Sequence, residues 1–177
     1  MKKTTLFTTI AFAFVMLLTT NVNAQKFNEL DKSPMDATTY PSSNREPNKL
    51  IKVIYSRPQL KGRALSKLAK NGEIWRTGAN EATNIILYKD MKIAGKPVSA
   101  GEYSLFTIPG EKEWTIILNK DINVWGAYSY KEANDVVRVT APVSSGESLE
   151  ALSIAFSEDG TMHLGWGTTR VAVPFTK

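Results

Sequence analysis

The chain has 177 residues, with 22 basic and 17 acidic side chains, a formal charge of +5 and no cysteine. The missing thiol excludes disulfides, thiol catalysis, Cys-ligated zinc, iron–sulfur clusters and a lipid-modified N-terminal Cys, so a plain folded core must supply the stability. The charge is uneven, with nine Lys or Arg between Arg45 and Arg76 against Glu46 and Glu73, yet this stretch lacks the alternating aromatic and basic residues of a single-strand platform, so it reads as a solvated face and no nucleic-acid partner is expected.

In chain order, Lys2 and Lys3 precede an apolar run from Leu6 to Leu18, and Val22-Asn23-Ala24 follows. This pattern predicts a secretory signal peptide over residues 1–24, cleaved near Ala24, and hence export to the periplasm or beyond. The run is too short for a membrane span, and none is expected in the mature chain. Residues 25–48 are polar, with Pro34, Pro41 and Pro47. They read as a leader or linker with room for one short strand. Residues 49–177 are expected to form one domain.

From Lys49 the dominant period is two. Ile51, Val53 and Tyr55 share one face of a strand that stops at Arg57-Pro58. Leu65, Leu68 and Ala69 have helical spacing and are closed by Asn71-Gly72, which predicts one short helical segment. Strands are expected at Asn84–Lys89 and Met91–Ile93. A hairpin about Gly110 would set Phe106 and Ile108 against Trp114, Ile116 and Leu118. Val137, Val139, Ala141 and Val143 alternate, as do Leu152, Ile154 and Phe156. Asp159-Gly160 gives a type I′ turn signal, answered by Met162, Leu164 and Trp166, and Val171, Val173 and Phe175 close the chain. About eight short strands with turn signals describe an all-β protein, an antiparallel β-sandwich or partly open barrel.

The search for chemistry finds little of a catalytic kind. His163 is the sole histidine, on the polar face of its strand, and no local spacing supplies partners to orient it. Nucleophile elbows and phosphate loops are absent, and neither a metal site nor a cofactor is expected. A dense polar cluster stands out instead. Tyr55 to Arg63 is followed by Trp75-Arg76-Thr77-Gly78-Ala79-Asn80-Glu81-Ala82-Thr83, a structured loop in which Gly78 can take positive φ and Thr77, Asn80 and Thr83 can bond nearby backbone.

Two readings of this cluster stay open. In one, Arg57, Arg63 and Arg76 form an ion-paired network with Glu81 that pins the loop, and Trp75 is core. In the other they line a pocket for a small anionic or carbohydrate ligand, with Lys61, Trp75, Asn80, Glu81 and Thr83 around them. Trp114 and Trp166 share register with aliphatic residues and read as core. Trp125 lies in an aromatic loop, Asn123 to Tyr130, and is a candidate stacking surface for a sugar or protein partner. A hydrolase working through carboxylates, Glu81 included, and an envelope interaction module without a small ligand are the alternative functions.

The segments Tyr55 to Arg63, Glu73 to Thr83, Ala100-Gly101-Glu102-Tyr103-Ser104-Leu105, Trp114 to Asn119 and Trp125-Gly126 resemble the DUF2911 family. These are exported bacterial proteins, mainly of the Bacteroidetes group, without an assigned activity. The resemblance covers residues 33–143, and more loosely the last two strands. It implies export, a single domain and special importance for the Arg57 to Arg63 and Trp75 to Thr83 positions, and it transfers no catalytic residue. One departure is Ser66-Lys67, where the family pattern has Phe-Gly.

Overall fold

The computed structural model describes residues 25–177; the signal peptide expected over residues 1–24 lies outside the described residues. The chain divides into Met1–Leu30, of which Gln25 to Leu30 are described and carry no helix or strand, and Asp31–Lys177. The second unit holds nine strands: β1 (Met35–Tyr40), β2 (Ile51–Ser56), β3 (Thr83–Leu87), β4 (Met91–Ile93), β5 (Lys96–Val98), β6 (Gly101–Ile108), β7 (Glu113–Asn119), β8 (Asp135–Phe156) and β9 (Thr161–Thr176). All paired neighbours are antiparallel, in the order β1-β2-β3-β6-β7-β8-β9-β4-β5. The sheet does not close into a barrel. The segment expected to be a polar leader thus contributes an edge strand, with Thr38 opposite Val53.

The long β8 turns the sheet into two layers. Its first half, Asp135 to Pro142, pairs with β7, and from Val143 onward it pairs with β9. Between these halves Ser144 to Ser148 is largely exposed and the register shifts twice, the local irregularity that lets a strand bend. The second half then returns to the chain beyond β2: the Leu60 amide donates to Glu150 O at 2.9 Å and the Leu152 amide to Pro58 O at 3.0 Å. Both layers feed one apolar cluster, with Ile51, Ile85, Leu105, Leu118, Met162 and Val173 fully buried. Burial of these apolar strand faces supplies the dominant stabilising term.

In two places the structure differs from the sequence expectation. Leu105, not Phe106, stands opposite Leu118, because the β6–β7 register pairs Phe106 with Ile117. Phe106 therefore packs on the reverse face, where the Tyr130 ring covers it at 5.1 Å; an apolar residue on each face hides the parity that would have fixed the register. The β8–β9 connection is a four-residue loop, Ser157 to Gly160, with only Gly160 at positive φ, rather than a two-residue type I′ turn. The one short helical segment expected after Arg63 is present, as a 3₁₀ turn at Leu65–Lys67. The expected cores of β2, β8 and β9 are buried as read, except that Val143 is only partly buried; Trp166 in β9 and Trp114 in β7 are buried as well.

Candidate functional site

Arg57 follows the last residue of β2, and its planar fork is fully engaged there. Nε donates to Leu152 O at 2.9 Å, one terminal nitrogen to Asp36 Oδ2 at 3.1 Å and the other to Ser153 Oγ at 2.8 Å. The residue ties β2 to β1 and to the second half of β8. Its acidic partner is Asp36, not Glu81. Arg63 folds back on its own turn, donating to Leu60 O and Gln59 O at 2.8 Å each. Lys61 is exposed, adopts φ 49° and donates its amide to Glu150 Oε1 at 2.6 Å. These three groups secure the Pro58 to Arg63 turn, and none of them lines the cleft beside Arg76.

Trp75 is 5% exposed, with Trp166 stacked on it at 5.6 Å and Trp114 edge-on at 6.0 Å. It is a core side chain, and it is also among the residues that line the cleft between the 3₁₀ turn and the aromatic loop. Its backbone exchanges hydrogen bonds with Thr107, and the loop that follows is wound tightly. Thr77 and Asn80 take φ of 57° and 61°, a left-handed backbone that costs a non-glycine residue on the order of 1–3 kcal/mol. Thr77 holds it while fully buried, bonded to Thr107 Oγ1 at 3.2 Å, with its carbonyl accepting from Thr83 Oγ1 at 2.7 Å. Gly78 does not take the positive φ expected of it. It is glycine because a Cβ would stand 3.1 Å from Ser56 O and 3.2 Å from Thr83 Oγ1.

This winding docks the aromatic loop. The Ala82 amide donates to Val124 O at 2.9 Å, the Gly126 amide to Asn80 O at 2.8 Å, and Glu81 forms a β-bridge with Trp125. Trp125 is 62% exposed and Tyr128 89%. The Tyr128 ring edge lies where a Cβ on Gly126 would be, 2.6 Å from Cε2, and Gly126 has φ 67°. The base of the loop is locked by the Tyr130 hydroxyl on Asp135 Oδ2 at 2.7 Å and by Asn134 on both oxygens of Asp121. Burial and the Asp135 carboxylate together push the Tyr130 phenol well above the usual tyrosine range.

Between the 3₁₀ turn and this loop lies a cleft of about 300 Å³ lined by Lys67, Lys70, Glu73, Arg76, Ala127 and Tyr128, among others. Arg76 is the one sequence-predicted arginine that enters it. Its Nε is buried without a hydrogen-bond partner, and Arg76 takes part in none of the ion pairs among the described residues. Lys70 is paired with Glu73 at 3.3 Å, both well exposed, so Lys67 and Arg76 are the cations with no carboxylate within ion-pair distance there. Asn80, Glu81, Thr83 and Trp125 shape the loop behind the cleft but do not line it. Sequence reasoning missed Lys67, Lys70, Glu73 and Tyr128, although the basic stretch and the aromatic loop both contained the signal.

His163, expected to lack local partners, has its Nε2 3.1 Å from Ser157 Oγ across the hairpin end. The carboxylate of Asp159 sits on the serine hydroxyl at 2.6 Å, so the pair is not the serine–histidine–carboxylate relay of a nucleophilic enzyme. Hydrogen bonds from Ser157 and then Thr161 hold Asp159 below the usual carboxylate range. Among the described residues no group of three or more His, Asp or Glu is placed to share a metal ion, and no helix is long and apolar enough to cross a membrane.

Compared with known proteins, residues 33–175 match the family model described as a protein of unknown function (DUF2911). No curated protein and no solved structure matches.

Proposed function

Because the chain belongs to the DUF2911 family, whose function is unknown, we propose from the chemistry of the cleft that it is a binding protein for a small anionic ligand held at Arg76. One observation carries this reading: a guanidinium lines the cleft with its Nε buried and unpaired, while every other arginine of the two motifs is engaged. A carboxylate or phosphate drawn to the guanidinium would form charge-assisted hydrogen bonds with a group that no carboxylate of the described residues engages. Lys67 adds a second positive charge. Of the carboxylates in the hydrolase alternative, Glu81 is exposed and lies outside the cleft.

Export belongs to the same reading and rests on the Lys2 to Ala24 pattern alone. N-terminal sequencing of protein from the producing cell should begin at Gln25; an intact Met1 would contradict it. The binding site is tested by calorimetric titration of phosphate and citrate into the native protein and into Arg76→Met. We expect saturable binding that falls at least about tenfold in the variant, in line with loss of a charged hydrogen-bond partner. Equal affinities in the two proteins would contradict the assignment.

A further inference from the structure

Resting on the anion-site reading, we infer that the ligand is a sugar ring bearing a single anionic group, with the ring laid on Tyr128 and the anion at Arg76. The cleft has two walls of different chemistry. On one side Lys67, Lys70, Glu73 and Arg76 present donors and one acceptor; on the other Ala127 and the exposed Tyr128 ring present an apolar surface with a hydroxyl at its far end.

A bare inorganic anion has no use for the aromatic wall. A dense polyanion such as a nucleoside triphosphate would meet the Glu73 carboxylate, which sits among the cations and is satisfied by Lys70. A polyhydroxylated ring suits both: its C–H face packs on an aromatic surface, and its hydroxyls can accept from Lys70 and donate to Glu73. The volume of about 300 Å³ lies at the small end of ligand pockets, which fits one ring rather than an oligomer buried whole.

The wall is built in advance of the ligand. Asn80 and Gly126 in left-handed backbone, the Gly126 amide on Asn80 O and the Glu81–Trp125 bridge fix the loop. The absence of a Cβ at Gly126 leaves the space that the Tyr128 ring edge occupies. Little ordering cost then remains for binding, which is how a small site gains affinity. Trp125 stands exposed one residue before Gly126.

The test is calorimetric titration of glucuronate, glucose 6-phosphate, glucose and inorganic phosphate into the native protein, Tyr128→Ala and Tyr128→Phe. Tyr128 is almost fully exposed, so neither change threatens the fold, and matching thermal midpoints check this. We expect at least one of the two sugar anions to bind about tenfold or more tighter than phosphate or glucose, the scale of a packed aromatic contact. Tyr128→Ala should erase that advantage while leaving phosphate binding alone, and Tyr128→Phe should keep it. Preference between glucuronate and glucose 6-phosphate tells a carboxylate from a phosphate as the anionic group. If all anions bind alike and Tyr128→Ala changes nothing, the sugar assignment falls and the anion site stands. If glucose matches the sugar anions, the requirement for charge falls. If nothing binds, both readings fall together.

Discussion

Arg57 and Arg76 stand near the start of the two polar motifs, yet their surroundings assign them opposite work. Arg57 spends its donors on Leu152, Ser153 and Asp36 and so clamps β2 between β1 and β8. Arg57→Ala should lower stability by about 1–2 kcal/mol, read from the urea midpoint, since it removes hydrogen bonds that are only partly shielded from water. Arg76→Met should leave the midpoint within about 1 kcal/mol, or raise it, because it deletes a buried donor that has no partner. A large loss in Arg76→Met would mean that the group is a structural pin as well. Trp75 and Gly78 show where a sequence misleads at this scale. A tryptophan in a polar motif looks available, but only coordinates reveal Trp166 stacked on it. A glycine in a loop suggests unusual backbone, whereas Gly78 answers to the closeness of Ser56 O.

At the scale of elements, three tryptophans tie β7, β9 and the Trp75 segment together, with Trp75 between Trp114 and Trp166. Trp166→Ala should cost about 3–5 kcal/mol, the range for emptying a large aromatic site in a core. Of the four tryptophans only Trp125 is open to solvent. Acrylamide should therefore quench a minor part of the native fluorescence, and Trp125→Phe should abolish that part; an accessible fraction that survives would place a second indole at the surface. Period-two alternation made β2, β8 and β9 readable because each strand buries one face and wets the other. It failed at β6 and β7, where Phe106 and Ile117 are buried on the side opposite Leu105 and Leu118. It also gave no hint that β8 runs through an exposed bend and serves two layers, since Ser144 to Glu150 reads as a loop.

For the whole molecule, the family match from residue 33 and the compact unit from Asp31 agree that β1 belongs to the fold. A chain starting at Lys49 would bare the edge of β2 and strip Asp36 from Arg57. It should unfold at lower urea than one starting at Asp31 and aggregate more readily, as an unprotected strand edge does; equal midpoints would make β1 dispensable. Alkaline pH tests the same core. Burial raises the phenols of Tyr55, Tyr103 and Tyr130, so the folded state keeps protons that the unfolded state gives up near pH 10. Their contribution is whole below about pH 10 and is lost as pH rises through the higher folded values. Absorbance at 295 nm should therefore show part of the six-tyrosine signal only as the protein unfolds, and complete ionisation with native circular dichroism would contradict this burial.

What no pattern in the sequence could supply is the pairing of a basic turn with an aromatic loop about sixty residues later, since Lys67 and Tyr128 meet only through the docking of Gly126 on Asn80. That meeting is where the account is most exposed to test. The side-chain Nε–H resonance of Arg76, followed by ¹⁵N-resolved NMR in separate titrations with glucuronate and with phosphate, reports on it directly. An anion held at Arg76 should give a saturable shift of that resonance, shared by the backbone amides of Lys67 and Tyr128, with Arg57 unmoved. An Arg76 signal that stays in place with both anions, or that moves only together with Arg57 and the rest of the surface, would contradict it.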